Sequence, residues 1–381
     1  MMWYTGLIVT GTIVCGCLNS LLTKFQDNQC VAHCNNPDPT KHKLFEQPAI
    51  QTLQMFIGEL AIYLVYYSMY KAPWSKRNEY TSLLDNPNNR NVGFATNLYL
   101  AIPSICDLLA TTLMNVGLVY TPVSIYQMTR GAVVLFVAIL SVLFLQRRIR
   151  RLEWLALVFV SLGVAIVGYS GSGKSSGPKN EDPRAVAFGI TLVLCAVALQ
   201  AVQFVVEERI LSRSSLTPLK LVYTEGFFGA VILVVSLVIL NYVFQATQSP
   251  ASFKDSPFNL GQSLRETFLL NTVLVTSALI MVCISMFNYC GLSLTNELSA
   301  TARSTIDNCR TLLVWIIAMV LGWESFKFLQ FVGFAVLVFG TLCFNGILQP
   351  EEWTWVPAFL KDPDHKNDRL IDVVDEPIDR M

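Results

Sequence analysis

Ten stretches of this chain are long and apolar enough to cross a lipid bilayer, and that one feature excludes most folds. A spanning helix needs about 20 mostly apolar residues, because the hydrocarbon core is about 30 Å thick and each helical residue rises about 1.5 Å. The stretches lie near 3–23, 50–70, 97–119, 122–145, 153–170, 185–206, 219–243, 270–293, 298–320 and 326–346. Inside lipid every backbone N–H and C=O must find its partner within the chain, so such stretches form helices. Composition agrees: 53% of residues are hydrophobic and 14% charged, against about 25% charged in an ordinary soluble domain. The expected fold class is an all-α polytopic membrane protein. Net charge is zero, so no basic field exists for nucleic acid, and disorder is excluded at this hydrophobicity.

The first stretch has no basic n-region and no small-residue cleavage site, so it is read as a retained helix rather than a signal peptide. The third and fourth stretches share a break at Tyr120-Thr121-Pro122. The ninth carries Arg303, Asp307 and Arg310, which a strict hydropathy window would reject. Orientation follows from basic residues in short loops. Arg147, Arg148, Arg150 and Arg151 crowd the loop between the fourth and fifth stretches. Lys71, Lys76, Arg77, Arg90, Arg209, Arg213 and Lys220 fall on the same side. Both termini are therefore expected in the cytosol, and loop 27–48 in a lumen. That loop holds Cys30 and Cys34, for which a C-x3-C disulfide and two separate thiols both stay open.

The chain reads as two sets of five helices. "LMNVGLVYT" at 113–121 echoes "MFNYCGLSLT" at 286–295. Each set has an arginine early in its fourth helix, Arg130 and Arg310, and closes on a Gly-containing apolar helix. An odd number of helices per set forces the two sets into opposite orientation, which is the inverted-repeat design of transporters. The division expected is a first repeat over 1–170, a linker over 171–184, a second repeat over 185–349 and a polar cytosolic tail over 350–381.

Ionisable residues inside the apolar stretches carry the functional reading. Each costs about 2.5–3.5 kcal/mol at a helix centre on insertion scales, so it lines a cavity or pairs. They are Glu59, Asp107, Arg130, Glu225, Arg303, Asp307 and Arg310. Arg303, Asp307 and Arg310 are spaced i, i+4, i+7 and form one stripe. A salt-bridged ladder would explain them structurally, but two arginines to one aspartate leave positive charge over. Gln127 shares a face with Arg130; Lys24 ends the first helix beyond Asn19; Asp107, Thr111 and Asn115 run down the third; Gln200, Gln203 and Glu207 share a face of the sixth. The candidate substrate or gating residues are Arg130, Arg310, Lys24, Asp107, Gln127, Arg303 and Asp307. Glu59 and Glu225 each sit beside a glycine, so close helix packing is one reading of them and proton coupling the other.

Two motifs are set aside. "GYSGSGKS" at 168–175 matches a phosphate-binding loop, but that mechanism needs a strand before it and a helix after it in a soluble domain. Here it is read as a Gly/Ser linker. "EYTSLL" at 79–84 has the form of an acidic dileucine sorting sequence, a pattern that also recurs by chance. No cofactor or metal is expected: the three histidines lie outside the apolar stretches.

Several segments resemble the drug/metabolite transporter superfamily, and within it the F subfamily of solute carrier family 35. They are "LNSLLTKFQDN" at 18–28, "FIGE" at 56–59, "PSICDLLATTLMNVGL" at 103–118, "YQMTRGAVVLF" at 126–136, "VVEERIL" at 205–211, "YTEGFFG" at 223–229, "NELSATARSTIDNCRTLLVW" from 296 and "LGWESFKFLQFVGF" ending at 334. The resemblance implies a ten-helix bundle of two inverted five-helix repeats and alternating access. It implies secondary-active transport of a small-molecule organic metabolite, nucleotide-sugar-transporter-like in fold, with no enzymatic chemistry. The family includes nucleotide-sugar antiporters, while other members of the superfamily move peptides, amino acids or cationic drugs. The solute, coupling to protons or to a counter-solute, and a homodimeric state stay open. Multi-pass residence in an endomembrane is expected, vacuolar or lysosomal first, Golgi or mitochondrial as alternatives. A non-transporting membrane adaptor is the rival reading.

Overall fold

The computed structural model describes residues 2–32, 34, 43–45, 47–71, 99–121, 126, 129–145, 150–172, 183–213, 216–247, 259–322, 328–344 and 348. Helices occupy each of the ten expected stretches: α1 (Met2–Asp27), α2 (Pro48–Tyr70), α3 (Ala101–Tyr120), a 3₁₀ turn (Arg130–Ala132) running into α4 (Val133–Leu145), α5 (Arg151–Ser172), α6 (Pro183–Arg213), α7 (Pro218–Thr247), α9 (Asn271–Glu297), α10 (Ala300–Val320) and α11 (Phe328–Phe344). Six of them, over 4–27, 48–70, 101–118, 184–212, 218–247 and 271–297, are long and apolar enough to cross a membrane by length and composition. Two elements were not anticipated. One is a short helix, α8 (Leu260–Leu269). The other is an antiparallel ladder of β1 (Cys30–Ala32) and β2 (Lys43–Leu44). Cys30 and Cys34 are joined by a disulfide.

The helix ends follow local chemistry. Pro48 stands at the start of α2, where its missing N–H costs nothing. Glu153 accepts a hydrogen bond from the Arg150 backbone N–H at 3.1 Å, one arm of a capping box on α5. The Ser299 hydroxyl accepts from the Ala302 N–H at 3.1 Å and caps α10. Gly322, at φ +71°, ends that helix in the left-handed region glycine tolerates best. α5 stays helical through Ser172, so the glycine-rich run expected as a linker is helical over 168–172. Once a long helix is nucleated, each further residue adds a bond cheaply. Residues 173–175, the dileucine-like stretch at 79–84 and the tail from 350 lie outside the described residues.

The chain divides into two compact units, each drawing on both halves of the sequence. The first unit comprises 1–115 and 202–297. Here α1 packs along α9, and α2 lies against both α7 and α9. Glycines set these approaches. A Cβ on Gly58 would lie 2.6 Å from the Met281 carbonyl oxygen, and one on Gly226 would lie 2.5 Å from the Leu60 nitrogen. Phe56, Leu233 and Leu237 form one buried cluster. Ile62, Leu100, Ile210, Leu219 and Leu292 belong to another.

The second unit comprises 116–201 and 298–381. Its tightest pair is α5 against α11, antiparallel. A Cβ on Gly163 would sit 2.7 Å from the Gly333 carbonyl oxygen, and one on Gly340 would sit 2.8 Å from that of Ala156. Phe159 and Phe339 meet edge to face at 5.6 Å between them. The end of α3 meets the start of α6 at Gly117 and Gly189, with Tyr120 against Phe188. Where two backbones touch, added carbon has nowhere to go, and overpacking costs about 1–3 kcal/mol. Gly163→Leu is therefore expected to lower the thermal unfolding midpoint and the monodisperse yield of detergent-solubilised protein. Gly6→Ala, whose Cβ would meet nothing within 4 Å, should change neither.

Candidate functional site

In the second unit the first half of α10 is polar and buried. Thr301, Arg303, Ser304, Thr305, Asp307, Asn308, Arg310 and Thr311 are all buried. The hydroxyls turn back onto their own helix. Ser304 and Thr305 donate to the Thr301 carbonyl at 2.7 and 2.9 Å, and Thr311 donates to that of Asp307 at 3.1 Å. The Asn308 amide instead crosses to the turn before α4, donating to the Gly131 carbonyl at 3.1 Å. That bond fixes the turn carrying Arg130.

The charges form one cluster. Arg310 Nε donates to Asp307 Oδ1 at 2.7 Å, and the Asp307 carboxylate also lies in the fields of Arg130 and Arg303. The Arg130 guanidinium lies over the Tyr126 ring, 5.9 Å from its centroid. Its Nε is buried with no hydrogen-bond acceptor among the described residues. The other described acidic residue of this unit is Glu153, at the start of α5. Arginine presents a planar fork suited to carboxylate or phosphate, so a buried guanidinium such as that of Arg130, with its Nε unmatched, is chemically suited to an anion.

In the first unit the expected residues separate into distinct places. Glu59 is buried where α2 meets α7 and α9, and its carboxylate accepts a hydrogen bond from the Asn288 amide. Glu225, one helix away, is buried, and its backbone carbonyl accepts from the Ser104 hydroxyl at 3.0 Å. Asp107 on α3 neighbours Cys106, which also feels the Glu207 carboxylate. Glu207 is fully buried and accepts from Gln203 at 2.8 Å. Lys24 lies in the last turn of α1, where a cation meets the negative end of the helix dipole. The structure thus gathers Arg130, Arg303, Asp307 and Arg310 into one cluster and pairs Glu59 with Asn288. Gln127 lies outside the described residues.

Sequence reasoning missed an amide network at one end of the first unit. The Ser277 hydroxyl accepts from Gln26 at 2.8 Å and Gln54 at 2.9 Å, and donates to the Val273 carbonyl at 2.6 Å. Its one donor and two acceptor positions are all used. Gln51 donates to Asp27 at 2.6 Å. Asn288 was also missed as a partner, although it stands in the echo of 113–121 at the place of Asn115.

A helical bundle with apolar helices of spanning length and charges buried between them defines a multi-pass membrane protein. The sequence model of the nucleotide-sugar transporter family matches residues 46–249. An uncharacterised protein of Schizosaccharomyces pombe is 38% identical over 334 residues, 88% of this chain and 95% of that one. Human solute carrier family 35 member F6 is 33% identical over 343 residues, 89% of this chain and 88% of that one. The human UDP-galactose translocator is 33% identical over 124 residues, 32% of this chain and 31% of that one. A solved crystal structure, 11% identical, superposes over 92% of this chain and 99% of that one with a TM-score of 0.54, a likeness of fold. The chain belongs to the nucleotide-sugar transporter family, within solute carrier family 35 and similar to its member F6. It is a transporter of small-molecule solute, not an enzyme.

The charge cluster also makes a stability prediction. Removing one partner of a buried ion pair costs about 3–5 kcal/mol, because it strands the other charge. Asp307→Asn, which removes the carboxylate on which three guanidinium fields act, is expected to lower thermal stability more than Arg310→Gln. A double-mutant cycle over the two should return a favourable coupling; independent, additive effects would mean the pair contributes nothing.

Proposed function

We propose that this chain is a secondary-active transporter that moves an organic anion across an endomembrane by alternating access. The anion would bear a phosphate- or carboxylate-type group. The observation carrying this reading is the Arg130 guanidinium, whose Nε is buried with no acceptor among the described residues, beside the Arg310–Asp307 pair. The substrate and gating residues are Arg130 and Arg310 first, with Arg303 and Asp307 completing the cluster. Lys24, Asp107 and Gln127 are secondary candidates, each to be tested by itself.

Ten spanning helices in two inverted repeats, over 1–170 and 185–349 with a linker at 171–184 and a cytosolic tail from 350, form the scaffold. Helix pairing supports this. Numbering the ten spans in order, the second packs on the seventh, the fifth on the tenth and the fourth on the ninth, while the first packs on the eighth. The third meets the sixth through Gly117 and Gly189. Exchanging the two halves turns every one of these pairs into itself or into another of the set, as a pseudo-two-fold relation between five-helix repeats requires. The basic short loops support cytosolic termini. The proposed compartment is vacuolar or lysosomal, with Golgi or mitochondrial membranes as alternatives.

Glu59, held by Asn288 where three helices cross, and Glu225 are proposed as the groups through which a proton gradient couples to flux. A counter-solute, or a homodimeric assembly, is compatible with the same scaffold. The rival reading, a membrane adaptor that transports nothing, predicts no flux at all.

The test is uptake into proteoliposomes, together with thermal stabilisation of purified protein by nucleotides, sugar nucleotides, amino acids, peptides and organic cations. A ligand at about 100 times its Kd stabilises by about 2.7 kcal/mol. One anionic class should stabilise the protein and be transported. Arg130→Ala and Arg310→Ala should abolish both effects while still reaching the membrane. Normal flux in both variants sinks the site, and absence of any ligand or flux from well-folded protein favours the adaptor. Under a proton gradient, Glu59→Gln should flatten the pH dependence of uptake while retaining gradient-independent exchange; an unchanged pH profile removes Glu59 from coupling.

A further inference from the structure

Helix α8 has its polarity turned inside out. Ser263, Glu266 and Thr267 are buried against the protein, while Leu264 is 42% and Phe268 63% exposed. A helix beside water would place those two faces the other way. The buried side is bonded in detail. Ser263 donates to Gln47 Oε1 at 2.8 Å, Gln47 donates to Glu266 Oε2 at 3.2 Å, and Gln262 donates to Glu266 Oε1 at 2.9 Å. The Leu260 backbone N–H donates to the Asn241 side chain on α7 at 3.1 Å. The inward face is therefore committed to the end of α7 and the start of α2.

Position supplies the occupant of the outward face. α8 lies between two helices of spanning length and is separated from α9 by one residue, Leu270. It therefore sits at a membrane boundary. The adjoining ends of its neighbours also expose apolar side chains, Tyr242 and Val243 on α7 and Leu274 and Val275 on α9. Arg265, beside Leu264 and also exposed, places a cation where a snorkelling side chain reaches lipid phosphates.

We infer that α8 is an interfacial foot: Leu264 and Phe268 insert into the acyl-chain boundary of the bilayer, and the polar underside clamps the ends of α2 and α7 at that depth. Interfacial helices elsewhere turn their polar face to water; here that face is turned to protein. The inference requires only that α7 and α9 span the membrane, and it stands apart from what the protein carries.

The test replaces Phe268, and separately Leu264, with the photoreactive residue p-benzoylphenylalanine in the full-length chain. Each variant is purified, checked for monodisperse elution, reconstituted into phosphatidylcholine vesicles and irradiated. The expected result is a mass increase of one phosphatidylcholine on the peptide containing position 264 or 268, without any need for a transport substrate. Two results overturn the proposal. A covalent dimer would assign the face to a second copy of the chain. Irradiated, monodisperse protein without a lipid adduct at either position would place the face in water.

Discussion

The ion pair between Arg310 and Asp307 is what lets the charged half of α10 be buried. Three charged residues over 303–310 would each cost about 2.5–3.5 kcal/mol on insertion scales if left alone. The 2.7 Å contact joins two of them on one face. Around that contact the hydroxyls of Ser304, Thr305 and Thr311 bond to carbonyls of their own helix, so they meet burial without outside help. Asn308 alone reaches across, to Gly131, and thereby sets the turn that carries Arg130. Remove one partner of the pair and the other is stranded as a buried charge, beside the turn that Asn308 anchors.

What allows such a polar helix is the way the other helices pack. Apolar surface gives little reason for helices to associate in lipid, so small residues and interhelical bonds decide who touches whom. Backbone approaches at Gly58, Gly226, Gly163 and Gly340 show the first device. The amides of Gln26 and Gln54 meeting on Ser277 show the second. In both units small groups and neutral hydrogen bonds make many of the contacts between helices.

The sequence made the helices legible because lipid demands long apolar stretches. It did not make their ends legible. α6 was expected over 185–206 and runs over Pro183–Arg213. Apolarity marks the thickness of hydrocarbon, whereas the helix continues through "VVEERILSR" on propensity and its own hydrogen bonds. α8 was passed over because ten residues fall short of spanning length, although Leu260, Leu264 and Phe268 recur at i, i+4 and i+8. The charged stripe of α10 could be read from its i, i+4, i+7 spacing. Its meeting with Arg130 could not, since nothing local links positions 130 and 307. The same holds for Gln26 and Ser277, bonded across 251 residues of chain. The glycines beside Glu59 and Glu225 did announce close packing, and Gly58 and Gly226 are where α2 meets α9 and α7. Asn288, as the partner of Glu59, needed the fold.

The two kinds of buried polar group then divide the labour. The amides meeting on Ser277, whose own donor and acceptor positions are all used, tie helices together without a charge at their centre. The Arg130 guanidinium, whose Nε is buried with no acceptor among the described residues, keeps a demand for negative charge, and burial strengthens that demand because low dielectric weakens screening. A ligand shifts a conformational equilibrium only by its differential affinity for the two states. On the proposed reading, an anionic solute acts as the missing counter-charge and favours whichever state brings the arginines closest to it. Transport would then be driven by the same electrostatic imbalance that makes α10 expensive to bury, and a neutral replacement of the stripe would yield a more stable protein with nothing to carry.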